Sequence, residues 1–297
     1  MYSMKLRIGM RRLLGKLVTW SLVQQAKSGM ADADSSMLNR DVAKILTVLE
    51  REVEIPALES LILAIKRESL DVDVGKAAIA LDANAILRIP GHSKSADLID
   101  YLSSAHSGLL LVPGQVIQEF WNNQLSAVDT VAKGLQKAFE NFKREVGKVP
   151  EAQANSVLEI DQSLKKFYDD NEALFHPETV KRTLAFLEAI APRALVPFAP
   201  RAALQGLAER RKRDKTPPGF KDPGDGDFFV WCDLLYGILK ASQSTEKVSN
   251  LILVTNDEKI DWCREGSAHP LLYAEVKALV GAHFEIWTLD KFARAIS

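Results

Sequence analysis

Cysteine is nearly absent from this chain of 297 residues, and Cys232 and Cys263 alone cannot build a disulfide framework or a four-thiolate zinc site. That economy fits a reducing, cytoplasmic setting. Long apolar runs are missing too: the longest, such as Ala77 to Leu81 and Leu109 to Val112, are strand-sized, far from the roughly 18 residues of a membrane span. No sign of charge dominates, with 38 Lys and Arg against 39 Asp and Glu. This balance excludes a uniformly basic nucleic-acid coat and an acidic solvating tail, and leaves local patches open. The five histidines, His92, His106, His176, His269 and His283, have no metal-ligand spacing and read as surface or turn positions. There is no phosphate-binding Walker loop, no dinucleotide glycine pattern and no internal repeat.

What is present is apolar residue, 47% of the chain, ample for a sizeable core. Residues 1–75 read as a helical N-terminal extension. Its start carries Lys5, Arg7, Arg11 and Arg12 before Leu13, Leu14, Leu17 and Val18, with Lys16 interrupting the apolar run. An amphipathic docking helix fits this better than a secretory signal. Helices are expected from about Arg40 to Leu49 and from Pro56 to Arg67. Strands are expected at Ala77–Leu81, Leu109–Val112, Leu251–Val254 and Phe284–Trp287, with helices between them. A helical insertion spans about 128–212, and Arg213 to Gly226 is loop. Short, fully apolar strands alternating with helices indicate an α/β fold, a mainly parallel sheet covered on both faces. In such sheets the residues just beyond the carboxyl ends of the strands form the site.

Those positions are acidic. The first strand runs into Asp82-Ala83-Asn84, and the helix after the second strand carries Glu119. Asp227 opens the helix after the long loop, and the strand at 251–254 runs into Thr255-Asn256-Asp257. Singly, each has an ordinary explanation as a helix cap, a helix-dipole partner, a solvated residue or a turn former. Together, clustered carboxylates call for a neutralising cation, and hard oxygen donors favour Mg²⁺ or Mn²⁺. Asp222 and Asp225 compete with Asp227 for the third acidic place; Asp227 is preferred because it follows Gly226 and opens the Trp231 helix. The basic residues Arg210, Arg211, Lys212, Arg213, Lys215 and Lys221 precede this acid, either as a solvated helix end or as a grip on a phosphate backbone. Phe220, Trp231 and Trp262 read as core, and Lys259 with Asp261-Trp262 either closes the site rim or packs the sheet edge.

The segments Pro217-Pro218-Gly219-Phe220-Lys221-Asp222, Gly226-Asp227 with Trp231, and Val254-Thr255-Asn256-Asp257-Glu258-Lys259-Ile260-Asp261-Trp262, in this order after Asp82-x-Asn84, resemble the PIN domain nucleases, specifically a bacterial PIN-like branch. The resemblance covers about 76–290, and 76–297 is expected to form the domain, a three-layer α/β/α unit. It implies metal-dependent hydrolysis of phosphodiesters, RNA above DNA, with Asp82, Glu119, Asp227 and Asp257 holding Mg²⁺ or Mn²⁺ and Asn84, Thr255 and Asp222 supporting them. It also permits a homodimer or a partner protein on the N-terminal helices. The runner-up is a catalytically inactive PIN-like scaffold that binds nucleic acid or protein. A haloacid-dehalogenase-like phosphatase is a weaker reading, since Asn84 stands where those enzymes carry their second Asp.

Overall fold

The computed structural model describes residues 40–66, 72–122, 178–244 and 248–297, with a few helical positions between 137 and 166. The expected amphipathic segment before residue 40 and most of the insertion lie outside the described residues.

In chain order, helix α1 (40–49) and helix α2 (Ala57–Lys66) precede strand β1 (Ala78–Leu81) and the short helix α3 (Ala83–Arg88). Helix α4 (Ser95–Asp100) runs on into a wider turn over Tyr101–Ala105, closed where His106 N donates to Tyr101 O. Strand β2 (Leu110–Leu111), helix α5 (114–122), helix α6 (Glu178–Ile190) and strand β3 (Ala194–Leu195) follow. Helix α7 (Arg201–Arg213), helix α8 (Gly226–Ser244) and strand β4 (Asn250–Val254) lead to a hairpin of β5 (Cys263–Arg264) and β6 (Ser267–Ala268). Helix α9 (Pro270–Val280), strand β7 (His283–Trp287) and helix α10 (Leu289–Ala295) complete the described chain.

The five-stranded sheet has the order β3-β2-β1-β4-β7, and every pairing is parallel. All four residues of β1 are buried, as are Leu251 to Val254 of β4, because a parallel strand covered on both faces has no solvent side to make polar. Helix α8 lies deep: Trp231, Cys232, Leu234, Leu235 and Ile238 are fully buried, so its apolar residues surround it instead of forming one stripe. The described part of the N-terminal block joins the same core, through Ile45 and Leu49 of α1.

Two elements depart from expectation. Strand β3 has no counterpart in the pattern reading: it is two residues long, partly exposed, and set between Pro192 and Pro197 where no alternation can develop. The β5–β6 hairpin is also unanticipated, although its loop obeys hairpin chemistry. Glu265 and Gly266 have φ of 52° and 82°, the two positive values that a tight turn between twisted strands requires. His106 corrects the expectation that the histidines are surface or turn groups. It is only 2% exposed, tilted against Tyr101, with the Tyr101 hydroxyl 3.2 Å from its Nδ1.

The strand order sets the location of the site. Chain crossovers leave β1 toward β2 on one side, while β4 pairs with β1 on the other, so a crevice opens at the carboxyl ends of β1 and β4.

Candidate active site

Asp82 leaves β1 and caps α3, its Oδ1 accepting from Ala83 N at 2.7 Å. The capping explanation therefore holds, but it uses one carboxylate oxygen only. Oδ2 accepts from Asn84 Nδ2 at 2.6 Å and from Thr255 Oγ1 at 2.8 Å, which ties the end of β1 to the end of β4. Asn84 completes the tie, its Oδ1 accepting from Asn256 N at 2.9 Å. Asn256 Oδ1 in turn accepts from Leu289 N, joining β4 to the start of α10. Thr255 Oγ1 also accepts from Asp257 N at 3.0 Å. Asp82, Asn84, Thr255 and Asp257 thus form one connected group across two adjacent strands.

Glu119 comes from α5, whose start is held by Asp233: Gln115 N donates to Asp233 Oδ2 at 2.7 Å. One turn on, Gln115 Nε2 reaches Glu119 Oε1 at 3.4 Å. This oxygen lies over the start of α8, so close that a Cβ on Gly226 would stand 2.6 Å from it. Gly226 is therefore the residue that lets Glu119 approach the acid opening α8.

The segment after β4 supplies what pattern reading left undecided. Lys259 Nζ lies 2.6 Å from Asp222 Oδ2, 3.1 Å from Asp227 Oδ2 and 3.0 Å from Asp257 Oδ2. Trp262 Nε1 donates to Asp227 Oδ2 at 2.8 Å, and its ring packs edge-on against Trp231. Asp261 is fully buried, and its Oδ2 accepts from Gly219 N and Lys221 N, clamping the loop that carries Asp222. Gly219 holds φ of 90° there, against the backbone of Phe228. So the three rim candidates all fasten acid-bearing segments: Lys259 those of Asp222, Asp227 and Asp257, Asp261 the loop of Asp222, and Trp262 that of Asp227. Asp225 pairs instead with Lys212 at 3.6 Å.

The electrostatics follow from this crowding. Burial pushes Asp82 above its ordinary range, with the Asp257 charge adding to it against the hydrogen bonds from Thr255 and Ala83. Burial, then the Asp82 charge, pushes Glu119 up to about 7. Burial and the hydrogen bond with Asp222 push Asp227 up to about 7. Asp222 goes the other way: burial alone would raise it, but the Asp227 hydrogen bond and the Lys259 ammonium hold it down. Burial opposes the charge on Lys259, and Asp222, Asp227 and Asp257 outweigh it, so its pKa is raised. One added cation does not neutralise this many acids.

The basic run is corrected in part. Arg211 is 3% exposed and donates to Glu275 Oε1 at 2.9 Å and to Pro217 O, so it holds the fold and cannot grip a substrate. Arg210 pairs with Glu50, and Lys212 donates to Pro223 O and Gly224 O at 2.7 and 2.9 Å. Arg213, Lys215 and Lys221 are exposed. Trp231 and Trp262 are core, as expected, while Phe220 is half-buried.

The donor set, all carboxylate oxygens with polar support, fits a hard divalent cation in its chemistry. Among the described residues no three His, Cys, Asp or Glu side chains form a ready-made metal-binding group, and Lys259 lies among three of the acids. No helix of the described residues is long and apolar enough to cross a membrane.

Residues 78–275, two thirds of the chain, match the family described as PIN like domain. No curated protein and no solved structure gives a match. The family match, which spans β1 to α9 and includes every acid of the crevice, shows that the chain belongs to the PIN-like domain family, whose members are in general metal-dependent nucleases.

Proposed function

We propose that the chain is a divalent-metal-dependent nuclease that hydrolyses phosphodiester bonds, with RNA the favoured substrate. The observation that supports this reading is the convergence of the half-buried Asp82, Glu119, Asp227 and Asp257 at the crevice between β1 and β4, with more acids than the one ammonium of Lys259 offsets.

Asp82, Glu119, Asp227 and Asp257 would hold Mg²⁺ or Mn²⁺. The ion would supply a water of lowered pKa and stabilise charge on the scissile phosphate. Asn84 and Thr255 fix the orientation of Asp82 through Oδ2. Trp262 fixes Asp227, and Asp261 fixes the loop bearing Asp222. Arg213, Lys215 and Lys221, all exposed and close to Asp222 in sequence, would contact the phosphate backbone, a contact that adds affinity irrespective of sequence.

The test is incubation of purified protein with labelled single-stranded RNA, single-stranded DNA and duplex DNA, in Mn²⁺, Mg²⁺ or EDTA, beside Asp82→Asn and Asp257→Asn. Cleavage that needs metal and both acids is expected, strongest on RNA. Cleavage in EDTA, or cleavage indifferent to both substitutions, would overturn the mechanism. No cleavage together with no metal binding would favour the inactive scaffold.

A further inference from the structure

Helix α2 precedes the matched residues 78–275 and packs on α9, with Ser60 buried. Its outer face is apolar. Leu58, Leu61, Ile62 and Ile65 follow the i, i+3, i+4, i+7 spacing of a single stripe and are 71, 43, 45 and 70% exposed. A stripe of that spacing is ordinarily the covered side of a helix, so its exposure calls for something to bind there.

Beside the stripe, a groove of about 510 Å³ lies between α2 and the β5–β6 hairpin. Leu61 and Ile65 line it from α2, and Phe220, Ile260 and Pro270 line it from the domain. Two of its polar groups have no protein partner among the described residues. Arg264 is exposed and forms no ion pair. His269 Nδ1 accepts from Leu271 N at 3.2 Å, so the neutral ring carries its proton on Nε2, a donor left over for a ligand. Lys221, exposed and likewise without an ion pair, has Nζ 5.8 Å from the centre of the Phe220 ring. Together Arg264 and Lys221 outnumber the single acid of the lining, Glu265.

The groove is continuous with the acidic crevice. A smaller cavity of about 330 Å³ is lined by Thr255 and Asp257 and shares Ile260, Arg264 and Glu265 with the groove. Phe220 is two residues from Asp222, and Ile260 stands between Lys259 and Asp261. Two residues span at most about 7 Å, so one strand reaches both the acids and the groove. Apolar walls with a few donors suit a flat ring bearing acceptors, and free cations suit an anion attached to it. A nucleotide has both parts, and a base paired and stacked in a duplex cannot enter such a groove.

We propose that the groove between α2 and the β5–β6 hairpin captures a base of the substrate strand beside the acids, with phosphate on Arg264 and Lys221, so that the chain acts on single strands. This rests on the nuclease reading and adds the form of the substrate to it.

Binding is read without cleavage, by fluorescence anisotropy of a short labelled RNA, single-stranded or annealed, titrated with the full chain in EDTA. Both test positions, Ile65→Glu and Arg264→Ala, are exposed, so the fold tolerates them. The wild type is expected to bind the single strand more tightly than the duplex. Ile65→Glu should lower single-strand affinity about 10-fold and leave duplex affinity alone. Arg264→Ala should weaken single-strand binding and reduce its salt slope by about one. A single strand bound no more tightly than the duplex, or one whose affinity neither substitution changes, would overturn the inference; metal-dependent cleavage would then still uphold the nuclease reading. The expected binding without any cleavage would keep the groove and remove that reading. An Ile65→Glu that converts a dimer to a monomer by light scattering, with single-strand affinity unchanged, would assign the stripe to a second copy and overturn the inference.

Discussion

Two sets of acids, one fully buried and one half-buried at the crevice, are neutralised by the protein to different degrees. Asp233 and Glu275 are both 0% exposed. Asp233 takes both Arg201 terminal nitrogens at 2.8 Å and two backbone amides, Gln115 N and Ala199 N. Glu275 takes Arg211, Arg51 and the Trp231 indole at 2.9, 2.7 and 2.7 Å. These acids are supplied with guanidinium groups and act as fasteners: Asp233 joins α5, α7 and α8, and Glu275 joins α7, α8 and α9. At the crevice, several acids share the single ammonium of Lys259, and burial holds Glu119 and Asp227 up at about 7. A fold that neutralises carboxylates so fully in one place and leaves an excess in another is the contrast that supports the proposed cation site.

The comparison can be broken by substitution, beginning with the strongest effect. Glu275→Gln leaves Arg211 buried without its counter-charge and should cost about 3–5 kcal/mol of stability, read by urea unfolding. A loss of cleavage with stability intact would move Glu275 from fastener to site. Asp82→Asn should behave in the opposite way, slowing cleavage about 10²- to 10³-fold. Its melting temperature in EDTA combines two opposed changes, a crowded charge removed and one accepting oxygen replaced by an NH2 that faces the donors of the cap or of the β1–β4 tie; Mn²⁺ binding equal to wild type would make Asp82 a structural acid. Asn84→Ala removes a donor that orients Asp82 and should weaken Mn²⁺ binding about 10- to 100-fold, measured by calorimetry. An affinity equal to wild type would show that the tie between β1 and β4 does not serve the metal. Trp262→Phe keeps most of the packing and loses the N–H to Asp227, so it should cost only about 1.5 kcal/mol. A much larger loss would mean that ring packing against Trp231, not the carboxylate, is what Trp262 supplies.

Sequence patterns made one side of this comparison visible and hid the other. Asp82, Asn84, Thr255 and Asp257 are each within three positions of a short apolar strand, so the strand pattern alone places them at one edge. The parallel α/β sheet follows from the same apolar runs, and the family match and the strand pairings agree with it. Strand β3 was hidden because two partly exposed residues among prolines carry no periodicity. The roles of Lys259 and Asp261 were hidden because their partners lie on a loop some 40 positions away, and such pairing leaves no local trace. Arg211 shows the converse error. Four consecutive basic residues look alike in sequence, yet helical geometry turns one of them inward onto Glu275 and leaves Arg213 outside.

The excess charge at the crevice is most directly tested by the melting temperature measured against pH, with and without Mn²⁺. Glu119 and Asp227 have folded-state pKa values of about 7, above their ordinary values of 4.5 and 3.8. Between those limits the folded protein keeps protons that the unfolded chain has shed, so stability falls as pH rises and the loss is complete just above 7. His106, His269 and His283, whose pKa values burial lowers from 6.5, act in the opposite direction below that pH. In EDTA the melting temperature should therefore decline from about pH 6.5 to about pH 8, and Mn²⁺ should restore it most at the high end, where the carboxylates are free to bind. A melting temperature that is flat or rising over that range in EDTA, or one that Mn²⁺ leaves unmoved at pH 8, would contradict the account.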